Sequence, residues 1–261
     1  MWRSAWQAPL HLGIKAKFVK TILDVSKVSF SYGSGPIVLF ETDLVVGEGQ
    51  IVGLVGPNGS GKSTLINLIF DNYQLKRGRI QLSGQDHQQL DAKKSAIYLP
   101  SEDFLPDFLT GREYYRAVEQ MYGTSEVSAD EVSAVFQALG MDGREEHLIE
   151  DYSHGMRKKV QFLAAFLLDR PLTVIDETFN GIDLDAQRYC ARRLAEMRER
   201  GRAVLLCTHD FSILEELADD VVVMKKALIL DRISIEELQK EGTTLKSWVD
   251  EMLFGSEHES V

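Results

Sequence analysis

Nine consecutive residues constrain this chain more than any other stretch: Gly56, Pro57, Asn58, Gly59, Ser60, Gly61, Lys62, Ser63 and Thr64. They match G-x-x-x-x-G-K-[ST] in full. They lie between an apolar run at 50–55 and a run of helical character at 63–70. The local order is strand, glycine loop, helix. Glycines let the backbone curl until successive N–H groups point inward at phosphate oxygens. A helix that starts at the loop adds its positive end. Lys62 supplies a point charge for β- and γ-phosphates, and the Ser63 hydroxyl is a ligand for Mg²⁺.

The rest of the chain is read around that loop. Residues 22–30 alternate apolar and polar like a half-buried strand, Gly33 to Pro36 make a turn, and 37–40 resume an extended run. Short strands follow at 79–82 and 96–99. Residues 110–169 change character. Helices are expected at 110–121, from the capping pair Ser128 and Glu131 to near Gly140, and at 156–168. Strand-like runs return at 172–175, 203–207 and 221–224, with a helix at 185–200. Alternating strands and helices around an inserted helical block indicate a doubly wound α/β core.

Asp176 ends the apolar run 172–175, and Glu177 follows it. Beside a phosphate loop, two carboxylates at a strand end divide the work. Asp176 is expected to hold the magnesium, and Glu177 to polarise the attacking water as general base.

Composition bounds the function classes. A hydrophobic fraction of 44% and a charged fraction of 26% are those of a globular chain, not a disordered one. The net charge of −11 argues against nucleic-acid binding by a basic surface. Residues 1–20 carry +4 (Arg3, Lys15, Lys17, Lys20, no acid), so the remainder carries −15. With Pro9, His11 and Gly13 breaking its apolar stretch, this segment is read as a poorly ordered leader, or else a weak membrane-surface tether, rather than a signal peptide. Cys190 and Cys207 sit in helical or apolar runs and are expected as free buried thiols. No run of 18 apolar residues occurs.

These residues resemble the ATP-binding cassette (ABC) ATPases, and the resemblance runs from about Ile22 to Asp231. Tyr152-Ser153-His154-Gly155-Met156 stands at the family's signature, with Ser153 and Gly155 matching. The Ser-His-Gly-Met form looks like the variant of bacterial ABC-2 type exporters. Asn180-Gly181-Ile182-Asp183 resembles the D-loop, His209 the switch histidine that contacts the γ-phosphate, and Tyr32 the aromatic that stacks on adenine. Ser153, Gly155 and Met156 lie just before or at a helix start, where a hydroxyl and N–H groups can meet a phosphate. In the family that phosphate belongs to the opposite subunit.

The resemblance implies an α/β fold: a P-loop NTPase core with an antiparallel β subdomain and an inserted α-helical subdomain at about 103–169. A basic extension at 1–21, a cassette at 22–231 and a helical tail at 232–261 complete the expected organisation. In the tail, Ser234 with Glu237 marks a helix start, and Leu245, Trp248, Val249, Met252 and Leu253 share one stripe. The implied activity is Mg²⁺-dependent ATP hydrolysis that drives export. The implied partners are a second ATPase subunit, identical or not, and a separately encoded transmembrane permease. The chain would sit on the cytoplasmic face of the membrane through that permease.

Two departures stand out. The Q-loop glutamine position holds Ser101, leaving Glu102 or a water to substitute. Thr178-Phe179 replaces the usual Pro-Thr or Pro-Phe, which softens the turn and removes no catalytic group. His154 reads as a neutral surface residue and Arg157–Lys159 as a solvated helix face. Phe104, Leu105, Pro106, Phe108, Tyr114 and Tyr115 give the expected permease-docking groove its apolar content or belong to the core.

Rival functions fit less well. A ribosome-acting cassette protein usually carries two cassettes. A DNA-repair cassette needs a long coiled coil, for which the 97 residues from Gly56 to Ser153 leave no room. A GTPase needs Asn-Lys-x-Asp, which is absent. Retention of both Asp176 and Glu177 argues against a non-hydrolysing regulatory module.

Overall fold

The computed structural model describes residues 20–123 and 127–255. The basic extension expected at 1–21 lies outside the described residues except for Lys20 and Thr21. Two sheets organise the rest. The antiparallel sheet has the order β2-β1-β4-β5, from β1 (Thr21–Ser31), β2 (Ile37–Gly47), β4 (Arg77–Leu82) and β5 (Gln85–Asp86). The second sheet has the order β10-β9-β3-β8-β7-β6, from β3 (Ile51–Val55), β6 (Ala96–Leu99), β7 (Leu172–Asp176), β8 (Ala203–Cys207), β9 (Asp220–Lys225) and β10 (Leu228–Ser234). All its neighbours pair in parallel except β9 and β10.

The central strands are apolar on both faces because both faces are covered. Ile51 and Val55 of β3, Val204 and Leu206 of β8, and Val221 and Val223 of β9 point into one core. That core includes buried residues of α5 (His154–Leu168) and α6 (Leu184–Glu199). The alternate residues Val52, Leu54, Leu205 and Val222 enter a second core with α1 (Lys62–Ile69) and the antiparallel sheet. The period of two in the strands thus builds two hydrophobic layers, one on each side.

The helical block contains α3 (Gly111–Tyr122), α4 (Ala129–Ala138) and α5, after the short α2 (Leu90–Lys94). Thr110 with Glu113, and Ser128 with Glu131, form reciprocal capping boxes that start α3 and α4. After β10 come α8 (Ile235–Glu241), started by the Ser234–Glu237 capping box, and α9 (Leu245–Phe254). Leu245, Trp248, Val249 and Leu253 are buried, as the stripe predicts. The structure goes beyond the expected pattern in several places. β2 runs on to Gly47, β5 and α2 fill the stretch before β6, α7 (Phe211–Leu217) follows β8, and β10 closes the sheet edge. Both cysteines are free and buried, and burial pushes each thiol up from its ordinary pKa.

Candidate nucleotide site

Parallel pairing gathers the site. β3, β6, β7 and β8 all run the same way, so their carboxyl ends lie along one edge of the sheet. From β3 issues the loop 56–61, from β6 Ser101, from β7 Asp176 and Glu177, and from β8 His209. Open α/β sheets bind ligands at such an edge.

The phosphate loop is held from behind. A side chain on Gly56 would place a Cβ 2.1 Å from the Met224 carbonyl oxygen, so only glycine fits against β9. Gly59, with φ +78, has open space around the position of its missing Cβ, which leaves its backbone approachable. Lys62 is nearly buried, and its ammonium donates to the carbonyls of Gly56 (2.6 Å) and Pro57 (3.2 Å). The Ser60 hydroxyl is buried with no partner, a polar group that a phosphate oxygen would satisfy. Thr64 bonds the Tyr32 hydroxyl at 2.9 Å. The Tyr32 ring is half exposed and stands edge-to-face with Phe30 and Tyr73. Pro57, Asn58 and Ser63 are exposed, with Ser63 in the first turn of α1. This donor set fits a nucleotide. Among the described residues no cluster of three metal-ligating side chains exists. Mg²⁺ is commonly held by one or two protein ligands together with substrate phosphates, and the Ser63 hydroxyl and the Asp176 carboxylate are the groups here that would hold it.

The two carboxylates occupy different environments. Asp176 is buried and accepts from the Tyr98 hydroxyl at 3.4 Å. Burial, with the Asp176 charge beside it, pushes the Tyr98 phenol well up, so it stays a donor. Glu177 is half-buried and has φ +55. A non-glycine residue in that left-handed region costs about 1–3 kcal/mol and persists only where the surroundings impose it. Asn180 donates to Glu177 Oε2 at 2.8 Å. His209 Nε2 lies 3.3 Å from Glu177 Oε1, close enough for an ion pair, though Oε1 accepts no hydrogen bond.

The signature segment starts α5. Ser153 is its N-cap, and its hydroxyl accepts from the Met156 N–H at 3.3 Å. Ser153 is exposed, with Gly155 and Met156 half exposed. A Cβ on Gly155 would meet the Gly181 carbonyl oxygen at 2.6 Å, so the signature packs directly on the D-loop backbone.

Two expectations here are corrected. His154 lies at the surface as expected, and its Nδ1 is 2.7 Å from Asp103 Oδ2. Residues 157–159, however, do not form a solvated face. Lys158 and Lys159 are buried, and Arg157 pairs with Asp107 at 2.5 Å. Lys158 donates to the Glu177 carbonyl at 3.4 Å, and Lys159 pairs with Asp183 at 2.5 Å. Loops that arrive from far along the chain cover this charged turn. Secondly, Thr178 does more than soften a turn, because its buried hydroxyl reaches three backbone carbonyls. At the Q-loop position, Ser101 donates to Glu102 Oε2 at 3.1 Å and makes no hydrogen bond to Asp176 or Glu177. Sequence reasoning missed Tyr98, Thr178, Lys158 and Lys159 as parts of the site. Only the adjacency of β6 and β7 and the packing of α5 reveal them.

The family model described as ABC transporter matches residues 39–180, which include the phosphate loop, both carboxylates and the signature. The chain belongs to the ABC transporter family. Among curated relatives of this ABC chain is the manganese transport system ATP-binding protein MntA of Synechocystis, 26% identical over 85% of this chain and 88% of its own length. The uncharacterized ABC transporter ATP-binding protein YdbJ of Bacillus subtilis is 30% identical over 82% of this chain and 70% of its own. A solved ATP binding subunit of an ABC transporter superposes with a TM-score of 0.82 at 28% identity. The match covers 89% of this chain and 99% of that one. The chain is thus an ABC ATPase domain in fold and family.

In this ABC domain the groove residues divide. Phe104 is 91% exposed and Phe108 78%, whereas Tyr115 is fully buried core. Leu105 and Tyr114 pack on the core from partly buried positions. Among the described residues no helix is long and apolar enough to cross a membrane.

Proposed function

We propose that the chain is the ATP-hydrolysing subunit of an ABC exporter, closing head-to-tail with a second ATPase subunit around two ATP molecules. The observation that carries this is the meeting of four strand ends at one sheet edge, with Lys62, Asp176, Glu177 and His209 on them or beside them. The loop 56–64 and Lys62 bind the phosphates, and Tyr32 stacks on the adenine. Ser63 and Asp176 hold Mg²⁺, which when bound neutralises charge on the phosphate oxygens. Glu177, oriented by Asn180, takes the proton of the attacking water. His209 donates to the γ-phosphate. Ser153, Gly155 and Met156 reach the nucleotide of the opposite subunit, and Asp183 belongs to the D-loop that packs beneath them.

The exposed Phe104 and Phe108 are the apolar part of the surface for a separately encoded permease, which places the chain on the inner face of the membrane. Transport runs outward on this reading, from the Ser-His-Gly-Met form of the signature. The test is affinity purification of the full chain from membranes, followed by ATP-driven transport in reconstituted vesicles of both orientations. A co-purifying multi-span protein and ATP-dependent movement away from the ATPase side are expected. Ribosomes in place of a membrane protein would overturn the transport reading, and movement toward the ATPase side would overturn the direction.

A further inference from the structure

Thr178 follows Glu177, and its side chain is wholly buried. Its hydroxyl lies 3.0 Å from the Leu99 carbonyl oxygen, 3.3 Å from that of Pro100 and 3.2 Å from that of Asp176. A carbonyl only accepts, so three acceptors share the one Thr178 proton. The backbone ladder between β6 and β7 has its last paired residues at Leu99 and Ile175. The Thr178 hydroxyl continues that tie by a side chain where the ladder stops. On the other flank, the Glu177 N–H donates to the Cys207 carbonyl of β8 at 2.9 Å. Glu177, in its left-handed turn, is therefore strapped to both neighbours of β7. Pro100 leads directly into residues 101–108, which carry the exposed Phe104 and Phe108.

We infer that Thr178 is a positioning residue for hydrolysis: its hydroxyl holds the Glu177 turn in place and ties it to the loop that begins at Pro100. A displacement of Pro100 redistributes the Thr178 proton among its acceptors and re-aims the Glu177 carboxylate. The chain thus carries a link from its exposed apolar loop to its base at the position where Ser101 makes none. This rests on Glu177 as the base of the proposed function.

Thr178→Ser and Thr178→Ala lose the same methyl and differ by one oxygen, so the pair isolates the hydroxyl. Both are made in the full chain. Steady-state ATP hydrolysis, affinity for a fluorescent ATP analogue and melting temperature are measured. Thr178→Ser is expected to keep kcat within about threefold, and Thr178→Ala to lose about 10–100-fold, the effect of a misplacement on the order of an ångström. KM and analogue affinity stay unchanged in both. Equal kcat in the two variants overturns the inference whatever their melting temperatures, and so does a loss that appears in affinity. If Thr178→Ala does not fold, Thr178→Val, which keeps the shape of threonine without its hydroxyl, is compared with the wild type by the same measurements, and equal kcat there overturns the inference. If neither hydroxyl-free variant folds, the hydroxyl is structural and the inference falls. Glu177→Gln separates the two readings. Wild-type turnover in that variant removes the base itself, whereas an inactive Glu177→Gln with matching Ser and Ala variants removes only the role of Thr178.

Discussion

The Lys159 ammonium lies 2.5 Å from the Asp183 carboxylate, joining the signature helix α5 to the first residue of the α6 cap by charge. Lys159 is buried, and Asp183 is 60% exposed. The hydrogen bond from Lys159, with that from the Ala186 N–H, holds the Asp183 carboxyl below its ordinary range. A lowered carboxylate pKa contributes stability that is full above the unfolded value, about 3.9, and is lost as pH falls through the folded one.

Lys159→Gln should therefore lower the melting temperature at pH 7, by the equivalent of about 1 kcal/mol given the exposure of Asp183. The gap between variant and wild type should narrow as pH falls below about 4 and close once it passes the lowered value of the wild-type carboxyl. Melting curves from pH 3 to pH 7 check this. A gap that stays constant down to pH 3 would place the effect in packing rather than in the ion pair.

Glu177→Gln should keep ATP binding and lose turnover. The amide preserves the shape and the acceptor for Asn180, but it cannot take a proton, and losing a general base costs about 10²–10⁴-fold. With turnover blocked, an ATP-bound dimer should accumulate and elute early on size exclusion. Wild-type hydrolysis in this variant would sink the assignment.

Lys62→Ala acts earlier, on binding. The ammonium that donates to the Gly56 and Pro57 carbonyls is the only cation in the loop 56–64. A hydrogen bond to a charged group is worth about 1.5–3 kcal/mol, which is roughly 10–100-fold in Kd. Titration with a fluorescent ATP analogue reads that loss. Unchanged affinity would mean that the phosphates sit elsewhere.

How much of this was legible depended on whether the signal was local. The strands 96–99, 172–176 and 203–207 read clearly, because a strand covered on both faces is a continuous apolar run. The capping pairs Ser128–Glu131 and Ser234–Glu237 read clearly too, since both partners lie within one turn. α7 went unread although its signal was present. Asp210 caps it by accepting from Ser212 and Ile213, but it follows the apolar end of β8 and the helix is short. The charged turn 157–159 was illegible in principle. A run of Arg and Lys looks solvated until Asp107 and Asp183, 50 and 24 positions away, are folded over it. Thr178 was misjudged for the same reason, because its partners at 99 and 100 come beside it only through β6–β7 pairing.

The helical tail gives the last prediction. Leu245, Trp248, Val249 and Leu253 of α9 are buried in the same core as Leu214 and Leu217 of α7. The Leu245 N–H donates to Glu215 Oε1 at 3.0 Å, and Lys225 donates to the Leu253 carbonyl. Deleting residues 243–261 uncovers that core, at ~1.5–3 kcal/mol for each large apolar side chain no longer buried. The melting temperature should fall steeply. The phosphate loop belongs to β3 and α1, and α1 packs in the other core, on the opposite side of the sheet. ATP affinity at low temperature should therefore survive the truncation. One face of the tail does approach the site: Thr244 and Lys246 line an open cavity of about 660 Å³ with His209 and Asn180. That contact gives the experiment its decisive alternative. Unchanged melting together with lost ATP-driven dimerisation would make the tail an interface beside His209 rather than a cover for its own core.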